Sequence, residues 1–284
     1  MSDYGSIIYG VADRIARITL NRPEKRNALD FALRREFVDA LRTAERDDEV
    51  TLVLIDGAGS SFCSGYDMAI NTREPEDAPD GWVSSVHFDS WTDQFARSCF
   101  RDWMTIWDLL KPVVAKVHGY CLAGGSEIMS MCDIAFVADD AVIGYPPSRI
   151  FGTPTTMLWI YRLGLERAKQ YLLTGCEIDA PTALRIGLVS EVHPAAELAG
   201  RVEAHAGRFR HIPANQLALN KLLINQAYEN MGLRTTQLLG TLFDGVTRHT
   251  EEAYQWVESF RDKGFREVIR DRDRPWADYG ERPR

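Results

Sequence analysis

Cysteine is scarce in this chain and poorly spaced for chemistry. The five cysteines, Cys63, Cys99, Cys121, Cys132 and Cys176, are odd in number and form no CxxC pair, which argues against a disulfide framework and a thiolate zinc site. No run approaches the roughly 18 uninterrupted apolar residues of a membrane-spanning helix. The opening stretch, Met1 to Leu20, lacks a charged region followed by an apolar one, so no signal peptide is expected and a reducing cytoplasm is the expected location. Basic residues are outnumbered, with 33 Lys and Arg against 41 Asp and Glu and a formal net charge of −8. Without a long basic block, such a surface repels nucleic acid and anionic membrane, and neither is expected as a partner. An anionic ligand would have to be held by backbone amides or a few local cations.

What remains is a chain of ordinary globular make-up, 45% hydrophobic and 26% charged over 284 residues, long enough to bury a large core. Short β-prone runs at Ile15 to Leu20, Thr51 to Ile55, Val113 to Val117 and Ile134 to Val137 alternate with helical patterns. Leu33, Phe37, Ala40, Leu41 and Ala44 fall on one helical face, with Asp30 as the cap before them. Strand, helix, strand in this order predicts crossover units and a mainly parallel α/β arrangement. Residues 71–100 carry Pro75, Pro79, several acids and the aromatics Trp82, Phe88, Trp91 and Phe95, which read as a long loop with a short helix. From about residue 195 the strand signal disappears. Ile224, Ala227, Tyr228 and Met231 form one helical stripe closed by Gly232, and a further helical stretch is predicted from Leu233 to Phe260. The division expected is an α/β core over 1–195 and a helical region over 196–284, whose apolar helices cover a neighbour in the same chain or in another subunit.

Two glycine-containing segments follow strands directly. One runs from Gly57 through Phe62, Cys63, Ser64, Gly65, Tyr66 and Asp67 to Met68; the other runs from His118 to Gly124, Gly125, Ser126 and Glu127. Glycine at such a turn lets a ligand approach the backbone, and the open amides of a helix N-terminus attract negative charge. Two such turns facing each other can aim one N–H each at the same oxygen, forming an oxyanion hole. Glycine there is also ordinary turn chemistry. Neither segment is a P-loop, since no Gly-Lys-Ser/Thr follows; neither carries GxGxxG, and Ser126 lies outside a GxSxG elbow.

Four stretches, taken in order, resemble the crotonase (enoyl-CoA hydratase and isomerase) family over nearly the whole chain. They are Ile18 to Leu29, Phe62 to Asp67, Lys111 to Asp133, and Leu173 to Val189 around Ala180 and Ala183. The resemblance implies a spiral of ββα repeats followed by a C-terminal helical trimerisation region, assembled as a homotrimer or homohexamer. It further implies an acyl-CoA thioester as substrate and no separate cofactor or metal. The Tyr66 and Gly124 N–H groups would form the oxyanion hole, and Asp67, Met68 and Ala69 would line the acyl channel beside Tyr66. Lys25 and Arg26 would lie near the CoA phosphates or adenine, with Arg272 reaching in from a neighbouring subunit.

Glu127 falls where hydratases of this family keep one of two catalytic glutamates. A carboxylate beside an oxyanion hole can orient a water or take a proton; the same placement is also that of a first-turn acid, favoured by the helix dipole by about 0.3–1 kcal/mol. The second glutamate of the family is expected in Gly-x-Pro-Glu, and here the stretch is Gly144-Tyr145-Pro146-Pro147. Proline cannot handle a proton, so the two-carboxylate grip on water is absent. Hydration of a 2-enoyl-CoA through Glu127 is the leading expectation. Single-carboxylate isomerisation, decarboxylation, thioester hydrolysis and non-catalytic acyl-CoA binding stay open. Ser148, Arg149, Asp89 and Asp93 could reach a pocket at this point, but nothing in the sequence places them there and they read first as loop residues.

Overall fold

The computed structural model describes residues 4–68, 94–156 and 158–279. Ala69 and the insert residues Trp82, Phe88, Asp89, Trp91 and Asp93 lie outside the described residues, as does the side chain of Phe95.

A six-stranded sheet forms the frame. Its strands are β1 (Ile7–Ala12), β2 (Ile15–Leu20), β3 (Leu52–Gly57), β4 (Val113–Val117), β6 (Ile134–Ala138) and β9 (Glu191–His193), side by side in that order. Strands β1 and β2 pair antiparallel as a hairpin, and every later pairing in this sheet is parallel. A smaller sheet holds β5 (Tyr120–Leu122), β7 (Val142–Gly144) and β8 (Ile178–Asp179) in the order β5-β7-β8.

The inner strands β2, β3, β4 and β6 are buried on both faces, which is why they read as nearly unbroken apolar runs, while β1 and β9 at the edges are more exposed. Along β3, Val53 and Ile55 enter the large core beneath helix α1 (Phe31–Arg46), while Leu52 and Leu54 turn to the other face. That second face is covered by Leu198, Val202 and Ala206 of helix α7 (Ala195–Phe209). The stripe read on α1 is buried as expected, and Asp30 caps it by accepting the Leu33 N–H at 2.8 Å.

The remaining helices are α2 (Gln94–Asp108), α3 (Gly124–Met131), α4 (Leu158–Leu163), α5 (Leu165–Thr174), α6 (Ala180–Arg185), α8 (Ala214–Asn230), α9 (Leu233–Thr247), α10 (Glu251–Lys263) and α11 (Phe265–Asp273). Two sequence expectations change here. The stretch from Leu233 to Phe260 is two helices, because the chain turns at Arg248 and Thr250 caps α10 by accepting the Ala253 N–H at 3.3 Å. Most of the stripe on α8 does not face this chain's core: Ile224 is 59% and Met231 66% exposed and Ala227 is exposed, while Tyr228 packs against the core. The buried side carries Leu217, Lys221 and Asn225 instead. Lys221 Nζ donates to Ile106 O, Lys111 O and Asp133 Oδ2, and Asn225 Nδ2 donates to Trp107 O, so polar anchors seat α8 on the core. Among the described residues no helix is long and apolar enough to cross a membrane.

Candidate active site

The two glycine turns singled out in the sequence touch each other. Cys63 and Cys121 form a parallel bridge in which Cys63 N–H donates to Tyr120 O at 2.9 Å and Leu122 N–H donates to Cys63 O at 3.0 Å. Gly65 then passes so close to the second turn that an added methyl would lie 2.9 Å from Ala123 Cβ, and its φ of +103° is in the region glycine favours. Leu29 pairs across Tyr66, donating to Gly65 O and accepting from Asp67 N–H. Both turns are thereby held by backbone hydrogen bonds rather than by side chains alone.

Ala123 sits at φ +47° and ψ −119°, a conformation that costs a residue with Cβ on the order of 1–3 kcal/mol. Its N–H donates to Gly144 O at 2.9 Å, and its carbonyl accepts from Ser126 Oγ and Glu127 N–H, which hold the strained residue in place. The sharp turn starts α3 at Gly124, whose amide belongs to the first turn and so has no acceptor within the helix. A methyl on Gly124 would lie 2.6 Å from Leu29 Cδ1 and 2.9 Å from Cε2 and Cζ of Tyr66. The tyrosine ring is therefore laid directly over the residue that opens α3.

Glu127, one turn into α3, is fully buried. Its Oε2 accepts from Tyr66 Oη at 2.5 Å; its Oε1 accepts from Thr155 Oγ1 at 2.9 Å and from Thr156 N–H at 3.0 Å. Burial pushes the carboxyl above its ordinary value, the three hydrogen bonds pull it back, and the charge of Asp244 on α9 adds to the upward push. Tyr66 Oη in turn accepts from Trp103 Nε1 at 2.8 Å. Burial raises the phenol well above its usual value, with Cys99 and Glu127 adding to the rise and Arg34 opposing it. Arg34 itself is buried beneath this group, donating to Asp102 Oδ2 and Ser98 Oγ.

Of the other residues expected at the site, Asp67, Met68, Lys25 and Arg26 lie on or beside the first glycine turn, whereas Arg272 belongs to the C-terminal cluster around Asp273. Asp67 accepts from Arg22 Nη2 at 3.1 Å, and Arg22 also pairs with Asp30 at 3.1 Å. The Asp67 carboxylate thus anchors the turn, with half-buried Met68 following it. Lys25 and Arg26 are exposed, on a loop tied to the first glycine turn by Ser64 N–H donating to Arg26 O at 2.9 Å. Arg26 lies over the Tyr120 ring at 5.1 Å. Buried Asn27 pins the same loop, its Nδ2 donating to Ala58 O, Ser61 O and Phe62 O. Arg272 pairs within its own chain, donating to both oxygens of Asp273 at 2.7 and 2.6 Å.

Pro147 lies half-buried in the 3-10 turn Pro146–Arg149. Arg149 belongs to a different cluster, donating to Asp273, Asp278 and Thr174 O, with Trp276 stacked 4.3 Å from its guanidinium. Sequence reasoning missed Trp103, Thr155, Thr156 and the Tyr66 side chain. No local signal marks the two threonines; Trp103 is one of seven tryptophans, and the resemblance points to the amide of Tyr66 rather than to its phenol. Among the described residues no cluster of three His, Cys, Asp or Glu side chains is placed to hold a metal ion.

Comparison with known proteins returns a consistent likeness. The profile of the enoyl-CoA hydratase/isomerase family matches residues 10–267. The chain is 39% identical to a solved enoyl-CoA hydratase from Mycobacterium smegmatis, covering 98% of this chain and 97% of that one at a TM-score of 0.88. A solved enoyl-CoA hydratase/isomerase from Xanthobacter autotrophicus Py2 is 29% identical, over 96% and 98% of the two chains, at a TM-score of 0.87. Among curated proteins, "Probable enoyl-CoA hydratase echA8" of Mycobacterium tuberculosis is 30% identical over 230 residues, 80% of this chain and 84% of the relative.

Proposed function

The chain belongs to the enoyl-CoA hydratase/isomerase (crotonase) family, and from that premise we propose that it adds water across the double bond of a 2-enoyl-CoA. The observation that carries this reading is the buried Glu127 carboxylate, held one helical turn from Gly124 at the junction of the two glycine turns. In the proposed reaction the N–H groups of Tyr66 and Gly124 converge on the thioester oxygen. Fixed dipoles there stabilise the enolate as it forms, and removing one such donor typically lowers turnover by about 10²–10³-fold. Polarising the carbonyl makes the β-carbon electrophilic. Water attacks it while Glu127 takes a proton.

The closeness of Gly65 to Ala123, the Tyr66 ring over Gly124 and the strained Ala123 support the convergence of the two turns. Exposed Lys25 and Arg26 beside the first turn support a CoA phosphate contact. The substrate would carry the CoA, with no further cofactor. An exposed apolar surface on α8 and α9, including Leu222, Leu223, Ile224, Leu239 and Phe243, supports a homotrimer or homohexamer. Four buried thiols, Cys63, Cys99, Cys121 and Cys132, fit a reducing cytoplasm.

A panel of enoyl-CoA substrates with products read by mass tests the reaction. Gain of one water supports hydration, and Glu127→Gln is expected to lower the rate by roughly 10²–10⁴-fold. Equal rates for the two proteins remove Glu127 from the mechanism. Pro147 favours one second reading, an isomerase in which a single base moves a proton with no change of mass; loss of carbon dioxide or of CoA would point to decarboxylation or hydrolysis.

A further inference from the structure

The family's second carboxylate is replaced by Pro147, yet Glu127 does not stand alone. Its Oε2 is bonded to the phenol of Tyr66, the residue whose own N–H is proposed for the oxyanion hole. The carboxylate has about four acceptor sites; among the described residues, Thr155 and Thr156 occupy both on Oε1 and Tyr66 occupies one on Oε2. Glu127 has no exposed surface, whereas Tyr66 is half-buried with its ring across Gly124. The phenol therefore touches both the carboxylate, whose Oε2 keeps one acceptor site for a water proton, and the residue whose amide is proposed for the oxyanion hole. Trp103 Nε1–H, donating to Oη, fixes the phenol oxygen and would stabilise negative charge on it.

Resting on the hydration reading, we propose that the Tyr66 phenol is a second catalytic group, an acid that protonates the α-carbon of the substrate while Glu127 acts as base on water. In the forward step the water oxygen bonds to the β-carbon, one water proton passes to Glu127, and the electron pair of the double bond moves into the enolate. The enolate then takes the phenol proton at its α-carbon. The resulting phenolate recovers a proton from Glu127 through their hydrogen bond, and both groups return to their starting states with one water added. An enolate carbon is a far stronger base than a phenolate, so a phenol whose ordinary acidity is suppressed by burial still delivers its proton in this direction. Among the described residues, the charged and titratable groups facing the pair include Arg34 from α1, Cys99 from α2, Tyr145 before the 146–149 turn, and Asp244 from α9.

The test uses the full-length chain with the best enoyl-CoA from the panel. Tyr66→Phe keeps the backbone amide and the ring over Gly124 and removes only the hydroxyl. It is expected to lower kcat by roughly 10²–10⁴-fold while the affinity for the corresponding saturated acyl-CoA, measured by calorimetry, stays within about twofold. In D2O, deuterium exchange at the α-carbon of the 3-hydroxyacyl-CoA is expected to fall in parallel. The double variant with Glu127→Gln is expected to be no slower than Glu127→Gln alone, because the two groups act as a unit. Trp103→Phe, which leaves the phenol in place with less support for its anion, is expected to be slower by about tenfold and carries the test if Tyr66→Phe does not fold. A Tyr66→Phe enzyme within about threefold of the parent, additive losses in the double variant, or an unaltered Trp103→Phe enzyme overturns the role of the phenol and leaves the hydration reading standing. A parent enzyme that converts no enoyl-CoA overturns both.

Discussion

Two buried acidic neighbourhoods in this molecule are built on different terms. Glu127 is held by a phenol, a threonine hydroxyl and a backbone amide, and among the described residues no Lys or Arg donates to it. Asp273 and Asp278, near the end of the described chain, close on the Arg149 guanidinium at 2.6–2.8 Å, with Arg272 as a further partner of Asp273. In the second cluster charge meets charge, and the result is a clasp that ties the C-terminal segment to the turn after β7. In the first, a charge is buried with only neutral donors around it. That leaves the carboxyl raised above its ordinary value and suited to exchanging a proton. Compensation makes a structural joint; incomplete compensation leaves the carboxyl on which the proposed hydration rests.

The largest expected effect falls on the clasp. Arg149→Met leaves Asp273 and Asp278 together in a buried setting, and removal of one partner from such a pair typically destabilises by about 3–5 kcal/mol. Urea unfolding reads that loss, and the fraction that remains folded is expected to keep its turnover. Retained stability with lost turnover would place Arg149 beside Glu127 in kind and dissolve the comparison. An intermediate effect is expected for Gly124→Ala, whose methyl meets Leu29 and the Tyr66 ring. Overpacking of this sort costs about 1–3 kcal/mol, and because the same shift moves the Tyr66 phenol and the α3 amide, turnover should fall by more than the stability change alone accounts for.

The smallest effect is the most diagnostic. Glu127 titrates higher in the folded chain than in the unfolded one, so the folded state binds more protons between the two values. Stability attributable to this group is therefore present at acid pH and lost as pH rises through the window between the ordinary carboxylate value and the raised one. Glu127→Gln removes that loss. Its unfolding midpoint is expected to gain on the parent's as pH rises, even as its activity collapses. A midpoint difference that stays flat with pH, or turns against the variant, would show that the carboxylate is as well compensated as those in the clasp.

Much of the frame was legible in the sequence because it rests on local period and local caps. The α1 stripe, Asp30, and the runs that became β2, β3, β4 and β6 all lie where the pattern placed them, to within a residue or two. Strands β5, β7 and β8 have only two or three residues each and exist through pairing with distant partners, so no period announces them. The α8 stripe shows the converse limit. Periodicity correctly marked a helix, but Lys221 and Asn225 decided which side faces inward, and a polar anchor leaves no mark in a hydrophobic pattern.

By itself the sequence determined the α/β class, the two glycine turns and Glu127 in the first turn of a helix, each a matter of residue type and short-range spacing; that Pro147 stands where the family keeps a second carboxylate is what the resemblance implies. Only the tertiary structure decided that Tyr66, 61 positions before Glu127, lays its ring on Gly124 and its hydroxyl on the carboxylate. It also decided that Trp103 supports the phenol from another helix and that Arg149 serves the C-terminal clasp. Hydrogen bonds between residues so far apart depend on how helices and sheet pack together. No local pattern encodes that geometry.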